Sequence, residues 1–220
     1  MGQTTKTEKL EQLFERWECS IPGYKGKFVK DGILNEFLYD RAPLKILYLM
    51  KEPNNPEQKP GDFREWWKDE IRFLFTYRLA EWSYGILNDF PPYDDVWTDV
   101  KATHQALLHT SLMNIKKIGG AGSSKYSEID SHLIKCHDYL KEQIEITDPE
   151  IIILGMSFWT DLRDKLFPDA KWSSSGYGIE IGKFKKAKVI DYYHPSSRTP
   201  PAAAYSLLQN VIKSEKFQLL

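Results

Sequence analysis

Three polar segments of this 220-residue chain each follow an apolar or mixed run and each carry a side chain able to act on a polar bond. They are "KEPNN" with Glu52, "TSLMNIKK" with Asn114 and "DYYHPSSRTPP" with His194. A glutamate can orient or deprotonate a water and can balance a developing positive charge, while an imidazole can donate a hydrogen bond to a departing anion. An asparagine amide presents a donor and an acceptor side by side, which suits a mixed hydrogen-bonding edge. Each residue also has a plain structural alternative. Glu-Pro after a strand commonly makes a turn, an asparagine commonly caps one, and a histidine before proline is held extended whatever its chemistry.

The elements that would position these residues are legible around them. "LKILYLM" (Leu44–Met50), "EIIIL" (Glu150–Leu154) and "AKVIDYY" (Ala187–Tyr193) are short, largely apolar runs, the first bounded by Pro43 and Pro53. Such runs predict strands buried on both faces, as in a parallel sheet covered by helices. "GIEIGKF" predicts a short hairpin-like strand, and Leu107–Ile115 fits either a helix end or a strand. Helical spacing marks Leu10, Leu13, Phe14 and Trp17; a long helix or helix pair from Trp67 to Ile86; Ile129, Leu133, Cys136, Leu140 and Ile144; and a final helix after Thr199. In open sheets of this kind ligands lie beyond the carboxyl ends of the strands. The polar segments fall at those ends, so Glu52, Asn114 and His194 are expected to converge on one cleft.

Composition narrows the classes. A chain with 41% hydrophobic residues and no linker or repeat predicts one domain spanning residues 1–220. Thirty basic against 31 acidic residues give a net charge of −1, without the strongly basic footprint of a non-specific nucleic-acid binder. Two cysteines, Cys19 and Cys136, are too few for a disulfide framework or a cysteine-held iron–sulfur cluster. Together with a polar, amphipathic N-terminus, they predict a cytoplasmic protein with no membrane contact, and a monomer is the simplest assembly. His132 and Cys136 stand four apart on one helix, but further ligands are not evident, so no metal or cofactor is expected.

From Leu44 to Ser196 the order of motifs resembles the uracil-DNA glycosylase superfamily. "LMKEPNN" is similar to the family's strand and water-activating loop, "TSLMNIKK" to the strand whose asparagine reads the base, and "HPS" to its closing motif. "CHDYLKEQIEITDPEIIILG" looks like the corresponding helix and strand of the type-4 bacterial branch. The resemblance implies a three-layer α/β/α sandwich with a central, mostly parallel sheet, and base excision from uracil-containing or otherwise deaminated DNA by base flipping. It implies Glu52 and His194 as catalytic residues, Asn114 and Phe63 as base-binding, and Ser196 and Arg198 as phosphate-binding, with Lys51, Pro53, Asn54 and Pro195 shaping the loops. The departures are specific. Met50 replaces the glycine that opens the first motif, Lys51 stands at an acidic position of the type-4 branch, where it could pair with Glu52, and only Cys136 matches a cluster cysteine of that branch. A non-catalytic nucleotide- or nucleic-acid-binding member of the same fold, and a hydrolase of free nucleosides, are the alternatives.

Overall fold

The computed structural model describes residues 4–220. Its main sheet contains β1 (Gly32–Ile33), β2 (Ile46–Met50), β3 (Ser111–Asn114), β4 (Ile151–Leu154), β5 (Ser173–Ser174), β6 (Glu180–Phe184) and β7 (Ala187–Asp191), in the spatial order β1-β3-β2-β4-β7-β6-β5. The neighbours β3, β2, β4 and β7 are mutually parallel. The three apolar runs thus lie side by side as expected, and the ambiguous segment around Asn114 is a strand against the other side of β2.

Both edges depart from the parallel pattern. β1 pairs with β3 antiparallel, and β6 pairs antiparallel with β7 and β5. The cause on the β6 side is local: Phe184 and Ala187 are cross-strand partners, and so tight a hairpin can only join antiparallel strands. Lys185 makes that turn at a φ of 53°. The protein is therefore an α/β structure with a seven-stranded mixed sheet.

Successive β2 side chains enter two different hydrophobic clusters, which explains the absence of polar alternation in "ILYLM". Leu47 and Leu49 pack with Leu10, Phe14 and Trp17 of helix α1 (Lys6–Ser20) and Leu133 and Leu140 of helix α3 (Tyr126–Thr147). Ile46, Tyr48 and Met50 pack with Leu79 and Trp82 of helix α2 (Leu74–Leu87) and Leu208 and Val211 of helix α4 (Pro201–Lys213). Truncating any of these fully buried aliphatic side chains to alanine would cost about 2–5 kcal/mol. Helix α1 begins at a capping box between Thr5 and Glu8, and α3 ends where Asp148 turns left-handed, at a φ of 53°, before Pro149.

The expected long helix from Trp67 to Ile86 is shorter. Asp62 caps a four-residue helix, Phe63–Trp66, which stops at Trp67, and α2 starts only at Leu74. Trp67 and Ile71 are buried from the intervening loop, so their helical spacing reflects packing rather than helix. Among the described residues no helix is long and apolar enough to cross a membrane.

Candidate functional site

A cavity of about 730 Å3 opens at the carboxyl ends of the parallel strands. Glu52 reaches it two residues after β2, Asn114 as the last residue of β3, and His194 three residues after β7. Lys51, Asn54, Phe63 and Ser196 also line it.

The Glu52 side chain is only 4% exposed, and its Oε2 accepts a hydrogen bond from Lys116 Nζ at 2.7 Å. Lys116 also reaches Glu128 at 3.3 Å, and its backbone N–H donates to the Lys51 carbonyl at 3.0 Å, so the lysine is tied to the loop it serves. The carboxylate lies so close to Gly120 that any Cβ there would overlap it. Oε2 is therefore committed, and Oε1 has no hydrogen-bonding partner among the described residues.

The pairing expected between Lys51 and Glu52 is not made. Lys51 Nζ donates instead to Ser157 Oγ at 2.9 Å and stands 4.8 Å from the centre of the Trp159 ring. Burial lowers its pKa, with the Glu52 charge opposing that shift only in part. Ser157 and Phe158 hold consecutive left-handed conformations, at φ 60° and 58°. Such backbone costs on the order of 1–3 kcal/mol per residue and persists where the surroundings over-determine it. Behind the loop, Met50 fills the space that a side chain at position 155 would need, so Gly155 is what accommodates the methionine.

Asn114 is anchored from below. Its backbone N–H donates to Asp31 Oδ2 at 2.8 Å, and its side-chain Nδ2, in the assigned amide orientation, lies 3.4 Å from the same oxygen. Asp31 in turn accepts from Lys117 Nζ at 2.6 and 2.7 Å and from Gln143 Nε2 at 2.7 Å. Asp31 and Lys117 are wholly buried. Burial outweighs the attraction of Asp31 and draws the lysine below its ordinary pKa, while its charge faces the rings of Trp17 and Phe14 at 5.0 and 5.8 Å.

His194 packs against Phe75, with ring centroids 5.7 Å apart, and its Nδ1 accepts the Ser196 N–H at 3.1 Å. Burial, followed by the nearby Lys51 charge, lowers its pKa to about 4. At neutral pH the ring is therefore uncharged with its proton on Nε2, a donor rather than an acid in waiting. Phe63 is both core and lining, packed on Trp66 and Trp67 at 4.5 and 5.0 Å. Trp66, Phe73 and Phe158 carry the aromatic lining outward to the solvent-exposed rim.

Ser196, expected to bind phosphate, has no helix-start amides beside it. The chain turns at Pro195 and Ser196, and α4 begins only at Pro201, preceded by Pro200 as its cap. Neither proline has an N–H to offer. Ser196 is exposed at the cavity wall, whereas Arg198 is exposed in the bend beyond it and does not line the cavity. Pro53 is buried, and its carbonyl accepts the N–H groups of Asn55 and Gly120 at 3.0 and 2.9 Å; Pro195 is also buried.

His132 faces Tyr24 rather than a metal-ligand set: its Nδ1 lies 2.6 Å from the tyrosine hydroxyl, and burial lowers its pKa to about 4. Among the described residues no group of three or more His, Cys, Asp or Glu side chains could hold a metal ion. Asp31, Lys116, Lys117, Gln143 and Ser157 are absent from the sequence-based expectations. The available signal was two successive lysines, Lys116 and Lys117, just beyond the Asn114 segment.

No family model and no curated protein matches the chain.

Proposed function

We propose that this protein is a DNA glycosylase-like hydrolase that removes uracil, or a related deaminated base, from DNA after flipping the nucleotide out of the stack. The observation that carries the reading is the convergence of Glu52, Asn114 and His194, from three different strand ends, on one aromatic-lined cavity. With helices on both sides of the sheet, we read the fold as the three-layer α/β/α arrangement of the uracil-DNA glycosylase superfamily. The free thiols of Cys19 and Cys136 suit the reducing cytoplasm we assign to it.

In this mechanism the bond from base to sugar lengthens, leaving positive charge on the deoxyribose and negative charge on the base. Glu52, held by Lys116, supplies the carboxylate beside the sugar, and its free Oε1 orients the attacking water. Neutral His194 donates from Nε2 to the base oxygen on which charge accumulates. The Asn114 amide meets the donor-and-acceptor edge of the base, and Phe63 stacks on its face.

The test is incubation with oligonucleotides carrying uracil, hypoxanthine or a mismatch, followed by alkali to reveal abasic sites. His194→Ala should slow base release on the order of 10²–10³-fold under single-turnover conditions, with substrate binding weakened far less, since the donor acts mainly in the transition state. Wild-type-rate cleavage by a folded His194→Ala protein would refute the mechanism. Binding without turnover is the second reading, favoured by the commitment of Glu52 Oε2 to Lys116. A uracil oligonucleotide that shifts in a gel yet yields no abasic site would select it.

A further inference from the structure

The cavity contains an amine that base release does not use. Lys51 supplies the primary amine among the lining residues, and its contacts are a neutral hydroxyl, Ser157 Oγ at 2.9 Å, and the face of Trp159. Lys116 is the opposite case, tied to Glu52 and Glu128, and Lys51 forms no ion pair with a carboxylate among the described residues. The Ser157 contact rests on two consecutive left-handed residues, so a strained loop holds the amine where it is.

We propose that Lys51 is a nucleophile toward an aldehyde in this cavity, and that the aldehyde is C1′ of the ring-opened deoxyribose of an abasic site, which gives the protein a DNA strand-cleaving lyase activity. The inference rests on the glycosylase reading for the origin of its substrate, but the chemistry can be examined on abasic DNA made beforehand. The Nζ lone pair forms a bond to C1′ while the carbonyl π pair moves to oxygen. One N–H proton and one proton from solvent pass to that oxygen, which leaves as water to give an iminium. Loss of the C2′ proton to solvent gives an enamine; its electrons then form the C2′–C3′ double bond as the C3′–oxygen bond breaks and the 3′ phosphate departs. Water hydrolyses the remaining iminium and returns the free amine. No oxidant, reductant or metal is needed, and an amine nucleophile of this kind must be unprotonated to react. Burial moves Lys51 in that direction.

The experiment uses the full chain, an oligonucleotide carrying a pre-formed abasic site, and sodium borohydride, which reduces an iminium to a stable covalent link. The expected result is a protein–DNA adduct whose tryptic mass spectrum locates the oligonucleotide remnant on Lys51, together with strand cleavage in the absence of borohydride. Lys51→Met should lower both at least tenfold, whereas Lys185→Met, in the hairpin turn at the opposite end of β7, should lower neither. Absence of an adduct, an adduct mapped in the wild-type protein to any other amine, or trapping of free 2-deoxyribose with abasic DNA left intact would overturn the proposal. Mapping on the wild-type protein decides the matter even where Lys51→Met folds poorly. Trapping of abasic DNA by a protein that releases no base from uracil DNA would sink the glycosylase reading while leaving this one standing.

Discussion

Replacing Lys117 by methionine should be among the most destabilising single changes available in this protein. Lys117 and Asp31 are fully buried, with Nζ 2.6 and 2.7 Å from the two carboxylate oxygens. At an effective dielectric of about 20, two unit charges at that separation attract by about 6 kcal/mol, while removing each ion from water costs several kcal/mol. The intact pair therefore contributes little net stability. Lys117→Met removes the attraction but leaves the Asp31 charge in the core, with only the Asn114 N–H and Gln143 to compensate, for a cost of about 3–5 kcal/mol. Asp31→Asn strands the lysine instead and should cost a similar amount, although an amide oxygen can still accept from Asn114. The double variant Asp31→Asn/Lys117→Met leaves no uncompensated charge and should cost no more than either single change. Urea unfolding at pH 7 would measure all three, and in a protein of this size 3–5 kcal/mol corresponds to a fall in Tm of roughly 10 °C. Single variants each costing under about 1 kcal/mol, or a double variant equal to the sum of the two, would refute the reasoning.

Gly120→Ala should displace the Glu52 carboxylate, because the new methyl would occupy its place. We expect single-turnover base release to drop at least tenfold with a much smaller change in the urea midpoint, and an unaltered rate would mean that the carboxylate has freedom the Lys116 contact denies it. Stability should also fall in mild acid. His194 and His132 both have folded pKa values of about 4 against an ordinary value near 6.5, so the unfolded chain binds protons first. The stability that each contributes is complete above about pH 6.5 and is lost as the pH falls towards 4, on the order of 1–3 kcal/mol for each histidine. Urea midpoints between pH 7 and 4.5 should show the decline, with His132→Asn flattening part of it; a variant whose pH profile parallels wild type would contradict the assignment.

The strands of the site were legible because burial on both faces writes itself into sequence as an unbroken apolar run, and Leu44–Met50 and Ala187–Tyr193 announce their own ends with polar residues. The support beneath Asn114 was not legible. Asp31 lies in "VKDGIL" and Lys117 in "NIKKIG", segments far apart in the chain, and a lysine pair after a strand looks the same whether it meets solvent or a buried carboxylate. Adjacency likewise favoured Lys51 as the partner of Glu52. Successive residues of an extended loop point in different directions, and it is Lys116, just past the adjacent strand β3, that reaches the carboxylate. Trp67 and Ile71 imitated a helix because both are buried, at a spacing of four, from a loop that packs against the core without being helical.

The order of strands also sets when the site can exist during folding. β2 is synthesised before its neighbours β3 and β4, and His194, which follows β7, comes after all three. Its contacts are thus non-local on both sides, and closing such long loops precedes any gain from the pairing they allow. An emerging chain holding Glu52 and Asn114 has α2 over Tyr48 and Met50 but still lacks the histidine, β7 and α4, the second helix on that face. The cavity is therefore complete only once β7 and His194 have been made, and a nascent chain cannot acquire its chemistry piecemeal.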